Sequence, residues 1–282
     1  MAGTARLAPA LSHPEPPEPA ALIALIGFMD LTSLTGSESA EEARALCRKA
    51  IHPEPGDPRV PSVAAVCVYP ALVPECKREL AGSRVKVASV AAAFPTGRAS
   101  LAAKLEEVRA ALEAGADEID VVIDHTAFLA GESARVSEEI VAIKAGVGTK
   151  PLKVILETGR LASQARVREA SELALRAGAD FLKTSTGKIE PGATLEATSI
   201  MLEAIAAHRA ATGARVGIKP AGGIRTARQA LDYARLLETM LGKEWLTPSL
   251  FRLGASALLD DVLKELSRPS RTAPDRSRPA DR

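Results

Sequence analysis

Aromatic residues make up only 3% of this 282-residue chain, so any core must be filled mainly by Ala, Val, Leu and Ile. Neither sign of charge prevails. The 36 basic and 35 acidic residues leave a formal +1, without the clustered base that a nucleic-acid footprint needs. Cysteine is scarce: Cys47, Cys67 and Cys76 are odd in number, widely spaced and contain no CxxC pair. That argues against a disulfide framework and fits a reducing cytoplasm. No apolar run approaches the roughly 18 residues of a membrane span. Ala20–Met29 is apolar, but it follows a proline- and glutamate-bearing segment and ends in no cleavage site, so it does not read as a signal peptide. The four histidines (His13, His52, His125, His208) are scattered without zinc-ligand spacing. No GxGxxG follows an early strand, which weakens a nucleotide-binding open sheet.

What is present is aliphatic and alternating. The hydrophobic fraction is 46%, enough for one large core, and the length suits a barrel of about 250 residues. Residues 1–20 hold five prolines, and residues 267–282 hold five arginines and three prolines. Both segments have too little to bury to offset their ordering entropy and are expected to be disordered. The domain expected is 21–266. Short β-rich runs lie at Val63–Val68, Val85–Ala91, Glu118–Ile123, Leu152–Leu156, Asp180–Thr184, Arg215–Lys219 and Leu250–Leu253, with a weaker first strand at Ile26–Leu31. They are nearly continuous apolar runs, as for parallel strands covered on both faces. Between them the spacing is helical. Leu101, Leu105, Val108 and Leu112 share one face, as do Ala230, Ala234, Leu237 and Leu241. Gly115 and Gly178 stand where helices should stop. The stretch ALEAGADEIDVV (111–122) returns as ALRAGADFLKTS (174–185), 63 residues on. That is two strand–helix modules of one plan. The count predicts a single-domain α/β (β/α)₈ TIM barrel, with an open doubly wound sheet as the alternative.

In such a barrel the chemistry lies at the C-terminal ends of the strands. Those positions offer Asp30, Cys67, Asp120, Asp124, Glu157, Lys183 and Lys219. Strand interiors should be apolar, so lysines in DFLKTS and VGIKP are costly unless paired or neutralised. One reading makes an amine nucleophile of them. The other pairs them with Asp120 and Glu157 to hold the barrel mouth together. Asp30 is either a partner for a substrate hydroxyl or one half of an ion pair, and Cys67 either approaches the mouth or packs as a core thiol. His125 follows the fourth strand and is a further candidate for substrate contact. Glycine-rich turns occur on three consecutive units, TSTGK (184–188), AGGIR (221–225) and GAS (254–256). They suit an anion held by backbone N–H groups at helix N-termini.

Together these stretches resemble deoxyribose-phosphate aldolase. The match runs over roughly residues 25–266: MDLT (29–32), VCVYP (66–70), FPTG (94–97), DEIDVVI (117–123), LKVILETG (152–159), DFLKTSTGK (180–188), GIKPAGGIR (217–225) and FRLGAS (251–256). KTSTGK followed by KPAGG is highly specific. The resemblance implies a (β/α)₈ fold and reversible cleavage of 2-deoxy-D-ribose 5-phosphate to acetaldehyde and D-glyceraldehyde 3-phosphate, in deoxyribose catabolism, with no metal and no organic cofactor. It implies Lys183 as the Schiff-base lysine and Lys219 as the second lysine, which depresses the nucleophile's pKa. Asp120 is implied in proton transfer, and Gly187, Lys188, Gly222, Gly223 and Ser256 in binding phosphate. The partners expected are a sugar phosphate and aldehydes, with a homodimer allowed and with neither nucleic acid nor membrane. One departure stands out. Some members end in a tyrosine that helps move a proton, whereas Tyr69 and Tyr233 are the tyrosines here and the tail is arginine-rich. The alternatives are another Schiff-base aldolase with a different sugar phosphate, and a barrel that isomerises or only binds one.

Overall fold

A computed structural model describes residues 17–268; the remainder of both expected tails lies outside the described residues. Eight strands follow one another: β1 (Met29–Thr32), β2 (Ala65–Val68), β3 (Lys86–Ala91), β4 (Glu118–Val122), β5 (Leu152–Ile155), β6 (Phe181–Lys183), β7 (Gly217–Lys219) and β8 (Leu253–Ala255). Each pairs in parallel with its sequence neighbour, and β8 returns to β1. Bridges Ile218↔Phe251 and Ala221↔Gly254 close the remaining seam between β7 and β8. The result is the eight-stranded barrel, and the open-sheet alternative falls away. The helices are α1 (Pro19–Ile26), α2 (Ala40–Ile51), α3 (Val73–Glu79), α4 (Leu101–Glu113), α5 (His125–Leu129), α6 (Ser133–Val147), α7 (Gln164–Arg176), α8 (Leu195–Thr212), α9 (Ala227–Leu241) and α10 (Leu258–Leu266).

Two strands start three residues later than expected, and the others start within two. The first strand begins at Met29 rather than Ile26, because the apolar run before it is α1. Pro19 opens that helix, where its missing N–H costs nothing. Leu22, Leu25 and Ile26 fall on one face and are buried. The helix thus starts inside the segment expected to be disordered. The eighth strand is centred later than Leu250–Leu253. Leu250 and Phe251 both donate their N–H to the Thr247 carbonyl in a turn, and regular pairing with β1 starts only at Leu253.

The internal repeat has a structural cause. Asp117 and Asp180 each accept from a backbone N–H of the preceding strand, Val87 and Leu152 respectively, both at 2.8 Å. Each also holds a lysine, Lys77 at 2.9 Å and Lys144 at 2.6 Å. The lysine stems pass over Gly115 and Gly178, where a Cβ would stand 3.3 Å from either Cγ. These ties lie at the N-terminal ends of the strands, away from the site. On the opposite face, Ser39, Ser100, Ser163, Thr194 and Thr226 accept from backbone N–H groups of α2, α4, α7, α8 and α9. Each such cap contributes about 1 kcal/mol and fixes where a helix leaves the loop that bears site residues.

Candidate active site

The barrel interior is not apolar as expected. Asp30, Glu118, Asp120, Lys153, Lys183, Lys219 and Arg252 all point into it and are buried. Asp30 and Asp120 do not end their strands but sit within β1 and β4. Neutralising buried charge requires pairing, and the pairing here closes on itself. Asp120 Oδ1 accepts from Lys153 Nζ at 2.7 Å. Lys153 Nζ also meets Glu118 Oε2 at 2.6 Å. Glu118 Oε1 accepts from Arg252 Nη2 at 2.6 Å, and Arg252 Nη1 donates to Asp30 Oδ1 at 2.7 Å. Asp30 Oδ2 lies 2.5 Å from Lys219 Nζ, which donates to Asp120 Oδ2 at 2.8 Å. Six side chains from β1, β4, β5, β7 and the approach to β8 thus form a ring of alternating sign. Lys183 Nζ joins from outside, donating to Asp120 Oδ2 at 2.9 Å.

Burial works against every charge in this ring, and the opposite charges outweigh it. For Asp120, desolvation alone would raise the pKa, but Lys153, Lys183 and Lys219 together hold it well below the carboxylate range. Asp30 and Glu118 are lowered in the same way, by Lys219, Arg252 and Lys153 and by Lys153 and Arg252 respectively. Desolvation would strip the Lys219 proton, yet Asp120 and Asp30 raise its pKa above that of a free lysine. Lys153 is raised against desolvation by Asp120, Glu118 and Asp30. Lys219 is therefore a fixed cation beside Lys183.

Asp30 is an ion-pair partner, the second of its two readings. Cys67 is fully buried, its Sγ 3.9 Å from Asp120 Oδ2, and burial raises its pKa. With Leu34, Ala88 and Val90 it forms a small apolar cluster apart from the main core, against which Tyr69 and Phe94 pack. These two rings meet edge to face at 5.9 Å. One side of the mouth, above β1 to β3, is thus apolar, and the side above β4 to β8 is charged. Asp124 caps α5 and pairs with Arg135 at 2.8 Å. His125 opens α5 half-buried, with Nδ1 unpartnered. Glu157 meets neither lysine. From a left-handed backbone, φ 55°, it accepts from the Thr186 N–H at 3.2 Å and the Thr186 hydroxyl at 2.5 Å. It thereby pins the TSTGK turn.

The glycine-rich turns come together. A Cβ on Gly222 would stand 3.2 Å from Gly192 Cα and 3.3 Å from Gly187 Cα, so the three backbones nest with no room for side chains. Gly222 and Gly223 both have positive φ, 85° and 78°, which glycine alone adopts freely. Gly254 bridges to Ala221, bringing the third turn alongside, and Ser256 beyond it is exposed. No side chain caps the N-terminus of α10. Lys188 is also exposed, and its ammonium donates to the Leu34 carbonyl, linking the turn after β6 to the loop after β1.

Sequence reading missed Lys153, Glu118 and Arg252. The signal for Glu118 was period-two alternation, since Glu118 and Asp120 in EID share one face of β4; Lys153 interrupts an otherwise apolar β5, and Arg252, ahead of β8, carried no such signal.

A model of the DeoC/LacD family aldolases matches residues 24–262. The chain is 44% identical over 239 residues to the deoxyribose-phosphate aldolase of Mus musculus, covering 81% of this chain and 75% of that one. Among solved structures, a Toxoplasma gondii chain provisionally named a deoxyribose-phosphate aldolase superposes with TM-score 0.79 at 27% identity, covering 88% of this chain and 94% of that one. The tetrameric deoxyribose phosphate aldolase of Aeropyrum pernix superposes with TM-score 0.66 at 26% identity, covering 86% and 91%.

Proposed function

The chain belongs to the DeoC/LacD aldolase family, and from that premise we propose that it cleaves 2-deoxy-D-ribose 5-phosphate reversibly to acetaldehyde and D-glyceraldehyde 3-phosphate through a Schiff base on Lys183. One observation carries the assignment of residues. Lys183 Nζ shares a single carboxylate oxygen, Asp120 Oδ2, with Lys219 Nζ. It does so at the end of β6, between an apolar wall and the nested glycine turns.

The chemistry follows from these groups. A neutral Lys183 adds to the C1 aldehyde of the open-chain sugar and loses water to give an iminium, which serves as electron sink. The C2–C3 bond then breaks, its electron pair forming the enamine, while the C3 hydroxyl gives up its proton as C3 becomes the aldehyde of glyceraldehyde 3-phosphate. Protonation at C2 and hydrolysis release acetaldehyde and restore the amine. Asp120, held ionised beside Lys183, works with Lys219 in proton transfer, and Lys219 is the cation that orients it. The phosphate sits against the N–H groups of Gly187, Gly222 and Gly223, with Ser256 and Lys188 at its edge. The uncapped start of α10 favours an anion there. Cys67 lines the apolar side, which suits the methyl group of acetaldehyde.

The reaction needs no metal. Each buried carboxylate of the ring already carries two cations, so none is free to ligate one. The odd cysteine count supports a cytoplasmic site of action. Among the described residues no helix is long and apolar enough to cross a membrane. A homodimer is the smallest assembly in keeping with a tetrameric relative, and sedimentation would resolve it.

The test is borohydride trapping. Acetaldehyde plus borohydride should leave an ethyl group on Lys183, found by peptide mapping, and Lys183→Ala should lose both the adduct and turnover. Adducts confined to other lysines would overturn the assignment.

A further inference from the structure

Many exposed arginines of this barrel are neutralised. Arg48, Arg59, Arg109, Arg135 and Arg168 each pair with a carboxylate. Arg98 and Arg160 are exposed too, yet among the described residues neither has a carboxylate within ion-pair distance. Both stand over β4 and β5, on the side of the mouth away from the glycine turns. Arg98 follows the FPTG turn after β3. A Cβ on Gly97 of that turn would lie 2.6 Å from the Ile123 carbonyl oxygen, the same oxygen that accepts from the His125 N–H at 2.8 Å. Arg160 closes the short turn Thr158–Arg160 after β5. The ladder between β4 and β5 runs to Val122↔Ile155 and continues through the Ile123 N–H to the Ile155 carbonyl at 3.1 Å. It brings the two strand ends, and with them His125 and Thr158, side by side. Two polar atoms are left over there. Thr158 is 8% exposed and its hydroxyl has no partner, and His125 Nδ1 is likewise buried and unbonded. Burial lowers the His125 pKa, with Arg160 and Arg98 adding to the effect and Glu157 and Asp124 opposing it. The ring is therefore neutral at pH 7 and lies in the field of both guanidiniums. Neither carboxylate is free to neutralise them, since Glu157 is engaged by Thr186 and Asp124 by Arg135.

We propose that Arg98, Arg160, Thr158 and His125 form a second site for a phosphate monoester, at which the sugar phosphate docks before its phosphate passes to the glycine turns. Two unpaired guanidinium forks suit a dianion. The Thr158 hydroxyl supplies a neutral donor, and a neutral imidazole protonated on Nδ1 supplies another. A buried polar atom without a partner is costly, and a phosphate oxygen satisfies both atoms left over here. With positive charge on two sides of one mouth, the field raises the local concentration of a dianion and the rate of its capture. The docking role rests on the phosphorylated substrate of the preceding reading, whereas the anion site itself does not.

The experiment titrates the full chain with inorganic phosphate and follows the His125 imidazole by NMR, its resonances assigned as those missing from His125→Gln. The parent is compared with the double variant Arg98→Gln, Arg160→Gln and with Thr158→Val. Phosphate should move the His125 resonances in the parent, with a midpoint that rises as salt is added. Over the same concentrations it should leave them in place in the double variant. Thr158→Val keeps every charge and should raise the midpoint about threefold. In steady-state kinetics the double variant should lose about three- to tenfold in kcat/KM for 2-deoxyribose 5-phosphate at about 0.01 M salt. The loss should shrink at about 0.15 M, where screening cuts the reach of charge to about 8 Å. Its kcat, and its kcat/KM for unphosphorylated 2-deoxyribose, should match the parent. Resonances that ignore phosphate in the parent, or still follow it in the double variant, overturn the site. Equal losses on the two sugars, or no loss on either, overturn the docking role. A parent that turns over neither sugar and forms no Lys183 adduct would sink the aldolase reading instead, and the phosphate titration would still decide the site.

Discussion

Gly192→Ala should separate binding of the phosphate from the chemical step. Gly192 precedes α8 and does not have positive φ, so alanine is conformationally acceptable there. The obstacle is space. The new Cβ would stand 2.5 Å from the Gly222 carbonyl oxygen, 2.6 Å from its carbon and 2.9 Å from its Cα, all backbone atoms. Contact at an ordinary separation requires a displacement of roughly 0.5–1 Å, which overpacking of this kind resists at about 1–3 kcal/mol. The segment that gives way carries the Gly222 and Gly223 amides. Hydrogen bonds from them to a charged phosphate, at the proposed site, would each be worth about 1.5–3 kcal/mol, and misalignment would forfeit part of that. A loss of about 2 kcal/mol corresponds to a fall of roughly 30-fold in kcat/KM for 2-deoxyribose 5-phosphate. Unphosphorylated 2-deoxyribose makes no such contact, and its kcat/KM should change less than about threefold. Steady-state kinetics on both substrates, with circular dichroism to confirm the fold, decide the matter. Equal losses on the two sugars, or no loss on either, would refute a phosphate site between the turns after β6 and β7.

Three further outcomes follow from the buried charges and the packing beneath them. Lys219→Leu leaves Asp30 and Asp120 each short of a cation, so the acidic limb of the pH–rate profile should move to higher pH and stability should fall by about 3–5 kcal/mol. An unmoved limb in an active variant would show that Lys219 acts by position alone. In urea melts across pH, the depressed carboxylates Asp30, Glu118 and Asp120 contribute stability above about pH 4 and lose it as pH falls through their folded values. The raised Lys153 and Lys219 contribute fully below about pH 10.4 and lose it only above. Stability should therefore be nearly flat from about pH 5 to 9 and drop below 4, and a decline starting near pH 6 would implicate a histidine instead. Gly217→Ala would place a Cβ 2.4 Å from Phe181 Cε1, under the ring that Lys153 and Arg252 overlie at 6.0 and 5.9 Å. The melting temperature should fall by an amount equivalent to about 1–3 kcal/mol, and an unchanged value would show that Phe181 is free to move aside.

Much was legible along the chain because it is local. Alternating apolar runs and helical spacing announced eight strand–helix units. A helix-stopping glycine followed by aspartate marked the repeat, and the two lysines stood out because ammonium groups are rare in barrel strands. The family motif placed Lys183, Lys219 and the glycine turns by number. The first strand is expected from Ile26, which is instead the last residue of α1, since a short apolar run has no period long enough to separate helix from strand. What only tertiary structure decided was pairing. Arg252 meets Asp30 across 222 positions and Lys153 meets Asp120 across 33, distances at which no sequence spacing carries information. Barrel closure, through the bridges of β7 to the segment at β8, brings those groups within hydrogen-bond reach. The low permittivity of the enclosure then makes their count of charges matter. Which carboxylate answers which cation, and which lysine is left over, is a property of the closed ring rather than of any strand within it.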